Sequence, residues 1–310
     1  SASALNLFDR MNREAIILPD NVTLSCALKA CSMLRDVDRG MKIHRHIIIT
    51  DCGNSHDYVA NALVDMYAKH GSLEEAKHIF FKLLGRNSSV LWNTMISGFI
   101  LHGHSCSALD LFVKMQDEVD EQGRVPTTTT LSCILKACSG MKAIEKGIQI
   151  HHEIVSRKLL AKDVVLGTAL VDMYAKCGVM AKAQEVIEEL HVHDVVAWNA
   201  LIAGYVQHGQ CHEALSIFEQ MQKFHEQCLP NVITFVCILM ACGNIGAIEN
   251  GKQIHDEIVS RKLLDTDIIL GTALVDMYAK CGAIVKAHEV LDILPIRNVV
   301  SWNALISGYA

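Results

Sequence analysis

Apolar residues along this chain recur at spacings of three and four, in blocks that end at glycine or proline. In 195–231, Trp198, Leu201, Ile202 and Tyr205 share one face of a helix that Gly209 stops in a left-handed turn. Ala214, Leu215, Phe218 and Met221 form the inner side of a second helix, which Leu229-Pro230-Asn231 breaks. Pro19 and Pro126 occupy the same place in their own blocks. Two helices of ~12 residues cannot cover their apolar faces alone, so neighbouring blocks must stack, and the pattern predicts an all-α solenoid with a concave side.

The blocks are repeats of three kinds. Leu166 to Gly178 reads LGTALVDMYAKCG, Leu270 to Gly282 repeats it residue for residue, and VANALVDMYAKHG from Val59 is a looser copy. A second kind carries paired cysteines and a histidine (SCALKAC…GMKIH from Ser25, SCILKAC…GIQIH from Ser132, VCILMAC…GKQIH from Val236). The third carries tryptophan and a GY or GF pair (LWNTMISGF from Leu91, AWNALIAGY from Ala197, SWNALISGY from Ser301). Register divides the chain into a partial tryptophan motif 1–20; cysteine motifs 21–56, 128–163 and 232–267; ALVDMYAK motifs 57–88, 164–194 and 268–298; tryptophan motifs 89–127 and 195–231; and a broken one from 299 to 310. No linker or second domain is left over.

Composition fits this division. With 51% hydrophobic and 20% charged residues among 310, there is apolar matter for a continuous core, and only four prolines and 19 glycines interrupt it. The longest apolar run, Val232 to Cys242, is about half of what a membrane span needs, so no membrane partner is expected. Most of the twelve cysteines follow the repeat: Cys26, Cys133 and Cys237 in one register, Cys31, Cys138 and Cys242 in another, Cys177 and Cys281 in a third. None has C-x-x-C spacing, so they read as small buried hydrophobes, with no metal and no cofactor. The chain opens without methionine and stops midway through a motif, which reads as a piece of a longer array whose targeting segment would lie upstream and whose cut ends would self-associate.

The alternation of WN-x-x-I-x-G-[YF], LKAC and ALVDMYAKCG over all 310 residues closely resembles the pentatricopeptide repeat proteins of land plants, in particular the subclass whose P-type, long and short motifs alternate. That resemblance implies a right-handed superhelix of helix-turn-helix motifs that binds single-stranded RNA in mitochondria or plastids, one base per motif, to select sites for C-to-U editing. It further implies that the fifth and last residues of each motif read the base while the second wedges between bases. The reading residues are then Asn61 with Ser88, Asn93 with Thr127, Thr168 with Asp194, Asn199 with Asn231, and Thr272 with Asn298. In the long motifs, which follow the family's code poorly, they are Ser25 with His56, Ser132 with Asp163, and Val236 with Asp267. The wedges are Val22, Tyr58, Val90, Thr129, Val165, Val196, Ile233 and Ile269; the plainer reading is that these residues only start helices and pack.

An ionised Asp194 accepts only, which suits a base with N–H at the middle of its edge, and the family's rule for Thr168 with Asp194 is guanine. An amide can donate to a bare ring nitrogen, and Thr272 with Asn298 corresponds to adenine. Asn199 with Asn231, and Asn61 with Ser88, correspond to cytosine over uracil; Asn93 with Thr127 to a pyrimidine. Read 5′ to 3′ the expectation is ?-C-Y-?-G-C-?-A. Lys69, Lys176 and Lys280, two turns beyond the reading residue on the same face, suit phosphate contact and equally suit a solvated lysine near a helix C-terminus.

Two features pull the other way. A net charge of −6 and a pI near 6.2 lack the basic footprint of a generic nucleic-acid binder, so binding must rest on base edges, with shallow salt dependence. His151-His152-Glu153 and His255-Asp256-Glu257 contain H-x-E, half of a zinc deaminase signature, but no P-C-x-x-C supplies thiolates, so no enzyme is expected within these residues. A deaminase would be carried beyond Ala310 or by a partner protein. The histidine pairs His102/His104 and His191/His193 bracket turns and are expected in solvent. The alternative function class is a protein-binding scaffold like tetratricopeptide arrays. It is disfavoured because the reading positions vary among Ser, Thr, Asn and Asp while their surroundings hardly change.

Overall fold

The apolar periodicity produces helices throughout the computed structural model of the chain, which describes residues 1–14, 18–50, 57–82, 89–117, 125–160, 163–190, 194–224, 228–264 and 267–309. All regular structure among these residues is helical, in two compact units, Ser1–Met141 and Lys142–Ala310.

In the first unit, α1 (Ala2–Glu14) is followed by α2 (Asn21–Leu34) and α3 (Val37–Thr50), α4 (Asp57–His70) and α5 (Leu73–Lys82), α6 (Ser89–Leu101) and α7 (Ser105–Asp117), and α8 (Thr128–Met141). The first helices of successive motifs pack on one another, α2 on α4, α4 on α6 and α6 on α8, while α3, α5 and α7 each lie against the first helix of the next motif. The second unit begins with α9 (Ile144–Ser156) and continues through α10 (Val164–Lys176), α11 (Met180–Glu189), α12 (Val195–Gln207), α13 (Cys211–Gln222), α14 (Val232–Ile245), α15 (Ile248–Ser260), α16 (Ile268–Lys280), α17 (Ile284–Ile293) and α18 (Val299–Tyr309). Its row of first helices runs α10, α12, α14, α16, α18, and the second helices bridge them as in the first unit. Each unit is thus a stack of helical hairpins.

The repeated letters fill the seams of these stacks. Trp92, Trp198, Tyr67, Tyr174 and Tyr278 are all buried. Gly209 adopts φ 74°, the left-handed stop expected of it. The glycine of the GY or GF pair serves close packing instead. A Cβ on Gly98 would sit 2.6 Å from that of Ala68, and one on Gly204 2.7 Å from that of Ala175, so consecutive first helices touch backbone to backbone there.

The cysteines divide by register. Cys31, Cys138 and Cys242 are buried as expected, but Cys26 is exposed and Cys133 and Cys237 are half-buried, because a five-residue offset turns their register about 140° around the helix from the buried one. Burial pushes the Cys31 thiol up to about 11 and that of Cys242 to about 12, so both stay protonated and unreactive. No helix among the described residues is long and apolar enough to cross a membrane.

Candidate nucleic-acid interface

The first four N–H groups of a helix have no partner within it, and Asp, Asn, Ser or Thr just before the helix supplies an acceptor. That requirement is met by the last residue of each motif whose end lies among the described residues. Asp163 accepts from the Leu166 N–H (3.1 Å), Asp194 from Val196 (3.3 Å), Asn231 from Thr234 (3.1 Å), Asp267 from Ile269 (2.8 Å) and Asn298 from Ser301 (2.8 Å). Thr127 does the same for Thr130 at 3.2 Å and Asp20 for Thr23 at 2.8 Å, where the Thr23 hydroxyl also holds the Asp20 carboxyl below its usual range. The residue types that suit base reading are therefore also those that cap the following helix.

Two of the expected pairs meet through the fifth residue's carboxamide. Asn199 Nδ2 donates to Asn231 Oδ1 (3.1 Å) and Asn93 Nδ2 to Thr127 Oγ1 (3.0 Å). A third is looser: the Thr168 hydroxyl lies 3.3 Å from Asp194 Oδ2 but 2.9 Å from its own helix's Val164 carbonyl. Thr272 donates to the Ile268 carbonyl (2.9 Å), and Asn298 is held by its cap to Ser301. Asn61, Ser132 and Val236 are half-buried on the first turns of α4, α8 and α14, and Ser25, 9% exposed, donates to the Val22 carbonyl. Ser88 and His56 lie outside the described residues. Asn199 departs from the expected accessibility. It is 6% exposed, with its amide bonded to Asn231 and Thr234.

Within each unit a second register accompanies this one. Val22, Tyr58, Val90, Val165, Val196, Ile233 and Ile269 are all exposed, from 55% at Val90 and Val196 to 78% at Tyr58, and Thr129 is exposed in the same register. A single exposed valine is ordinary, but the same register left in water in every motif is a surface that gains from being covered. The reading that these side chains pack within the protein is thereby corrected. In the first unit the two rows converge on a groove of about 490 Å³ lined by Val90, Thr129, Asn93 and Lys69.

Two family models match the chain, one described as PPR repeat family over residues 193–244 and one described as PPR repeat over 58–88, 90–118 and 168–195. Curated proteins of Arabidopsis thaliana, all named pentatricopeptide repeat-containing, align along nearly all of it. One is 37% identical over 306 residues, covering 99% of this chain and 43% of the relative. Another, named as mitochondrial, is 33% identical over 308 residues, covering 99% and 53%. A third, named as chloroplastic, is 34% identical over 305 residues, covering 98% and 48%.

The chain belongs to the pentatricopeptide repeat family. It spans about half the length of the curated relatives it matches. The solved structure of the pentatricopeptide repeat protein PPR10 in complex with an 18-nt psaJ RNA element is similar with a TM-score of 0.67 at 17% identity, covering 98% of this chain and 50% of that one. The two share the α-solenoid fold of helix-turn-helix repeats.

The remaining candidates in this pentatricopeptide array are already engaged. Lys69, Lys176 and Lys280 each pair with an aspartate one turn back on the same helix, Asp65 at 2.9 Å, Asp172 at 2.8 Å and Asp276 at 2.7 Å. His151 Nδ1 lies 2.8 Å from the Tyr174 hydroxyl, and His44 and His255 lie 3.0 Å from Tyr67 and Tyr278. Burial lowers the proton affinity of all three imidazoles and pushes the Tyr174 hydroxyl up to about 12. The histidines of both H-x-E runs thus lock second helices onto first helices. Among the described residues no cluster of three or more His, Cys, Asp or Glu could hold a metal. His102, expected in solvent, is half-buried and bonds the Ala68 carbonyl at 2.8 Å, as His208 does Ala175 at 3.0 Å; His191 and His193 lie outside the described residues.

Proposed function

We propose that the chain is a target-recognition array for single-stranded RNA, read one base per motif by the fifth and last residues, with the second-position row stacking against or between bases. The observation that carries the reading is the company of two registers within each unit: polar pairs joined across consecutive first helices, accompanied in every described motif by an exposed aliphatic or aromatic residue or, at Thr129, by a threonine. Unpaired bases supply what both rows lack, hydrogen-bonding edges for one and flat apolar faces for the other. The RNA held by PPR10 and the organellar names of the Arabidopsis relatives support the same reading and an organellar site of action.

On this reading the motifs alternate as P-type, long and short with the boundaries given above, and the preferred RNA runs ?-C-Y-?-G-C-?-A. The chain's part in C-to-U editing is to choose the cytidine, while the deamination is performed by a domain or partner outside these residues.

The test is a titration with RNA oligonucleotides that differ only at the last base. Asn298→Asp keeps an oxygen to cap Ser301 but replaces a donor by an acceptor, so preference should move from adenine to guanine. Unchanged selectivity would refute the assignment, and equal binding of all sequences by the unaltered chain would refute base reading altogether.

A further inference from the structure

The tryptophan motifs carry a third side chain at each reading pair, contributed by the cysteine motif that follows. Thr234, the third residue of 232–267, is fully buried, and its hydroxyl donates to Asn199 Oδ1 at 2.6 Å while accepting the Asn231 N–H at 3.1 Å. Its own N–H donates to Asn231 Oδ1 at 3.1 Å, and that oxygen also takes Asn199 Nδ2. The same lattice stands in the first unit. Thr130, also fully buried, donates to Asn93 Oδ1, accepts the Thr127 N–H at 3.1 Å and caps with Thr127.

The consequence lies in which amide edge is presented. An asparagine side chain offers a carbonyl on one edge and an NH₂ on the other, and its neighbours decide which faces out. The Thr234 hydroxyl has one proton, and the short bond to Asn199 Oδ1 claims it. Asn199 is then held with its NH₂ toward Asn231, whose Oδ1 is turned inward by two N–H donors. The Asn231 NH₂ is left on the opposite edge of a half-buried side chain, as a donor.

From this we infer that Thr234 is a positioning residue for base selection: its buried hydroxyl fixes the Asn199–Asn231 amides so that the pair presents N–H donors, favouring cytosine, whose N3 accepts, over uracil, whose N3–H donates. Thr130 holds the pair Asn93 with Thr127 in the same way, but the residue there is a hydroxyl whose oxygen already takes the Asn93 Nδ2 and Thr130 N–H donors, so it has at most one proton to offer a base. That pair is accordingly the weaker of the two at separating the pyrimidines. The inference rests on the RNA reading proposed above and adds to it a residue outside the fifth and last positions.

The experiment compares binding of the chain to two oligonucleotides with C or U at the sixth base of the preferred sequence. Thr234→Val keeps the shape and removes the hydroxyl, freeing Asn199 and Asn231 to turn over. The cytosine-to-uracil affinity ratio should fall by roughly fivefold, the worth of one hydrogen bond. Selectivity at the fifth and last bases should not change, and Thr234→Ser should restore the ratio. A purely structural threonine would instead lower affinity for both oligonucleotides equally, and that result, or an unchanged ratio, overturns the inference. Asn231→Asp serves as the control, since an acceptor placed outward should favour uracil. If it shifts the ratio while Thr234→Val does not, the pair reads the base and the positioning role fails; if neither shifts it, the reading itself fails.

Discussion

Two of the proposed reading pairs in the second unit occupy one register and are built differently. Asn199 and Asn231 are closed into a lattice by the buried Thr234. Thr168 and Asp194 have no such clamp, because the third residue of the next motif is Ala197, and the Thr168 hydroxyl gives its only proton to the nearer Val164 carbonyl. The difference teaches that the stiffness of a pair is set one motif downstream. On the proposed reading, a locked pair would select by which edge it shows, whereas an open pair would select by the charge of its carboxylate, which accepts in any orientation.

The largest expected effect comes from parting the helices that carry the open pair. Gly204 on α12 faces Ala175 on α10, and a Cβ there would lie 2.7 Å from the Ala175 Cβ and 2.9 Å from Met180 Cε. Gly204→Val should force α10 and α12 apart and destabilise the chain by about 1–3 kcal/mol, the usual cost of overpacking, seen as a lower urea midpoint. Thr168 sits on α10 and Asp194 caps α12, so guanine selectivity at the fifth base should suffer more than cytosine selectivity at the sixth. Equal loss at both would mean that the two pairs are not mechanically separate.

Much of this was legible in the sequence, for a physical reason. Helix faces, glycine stops and repeat registers are local, so Trp198, Leu201, Ile202, Tyr205 and Gly209 announce their roles. The exposed register from Val22 to Ile269 was legible only as a position, since an aliphatic residue at a helix start is equally consistent with packing, and its exposure is seen only in the coordinates. What stayed hidden depends on contacts across motifs. The burial of Asn199, the bonds from His102 and His208 to neighbouring carbonyls, and the tight approach at Gly98 and Gly204 each need a partner more than twenty residues away. One signal for Thr234 was present: Thr23, Thr130 and Thr234 share the third place of all three cysteine motifs, directly after a capping residue and one intervening pair.

A smaller change should turn the open pair toward the closed one. Ser301 occupies the third place after Asn298 and exchanges bonds with it, its N–H donating at 2.8 Å and its Oγ accepting the Asn298 N–H at 3.2 Å. Ala197, 2% exposed, stands at that place after Asp194. Ala197→Ser should complete the reciprocal cap and stabilise the chain by ~0.5 kcal/mol, read as a raised urea midpoint. A lowered midpoint would show that the seam beside Trp198 has no room for the hydroxyl.

The smallest effect concerns charge, where the two motifs differ again. Two turns beyond Thr168 stands Lys176, and two turns beyond Asn199 stands the neutral Gln207. If Lys176 gripped phosphate, losing it would weaken binding and lower the salt slope by about one ion. Its ammonium already lies 2.8 Å from Asp172, and an exposed ion pair of this kind is worth little but leaves small net charge for a polyanion to meet. Lys176→Ala should therefore change RNA affinity by no more than about twofold and leave the salt slope nearly unaltered. Asp172→Asn should do more than the loss of the lysine, steepening the slope by releasing the ammonium. The opposite order, a large loss on Lys176→Ala and none on Asp172→Asn, would make Lys176 a phosphate contact and restore to the array the electrostatic term that its net charge of −6 denies it.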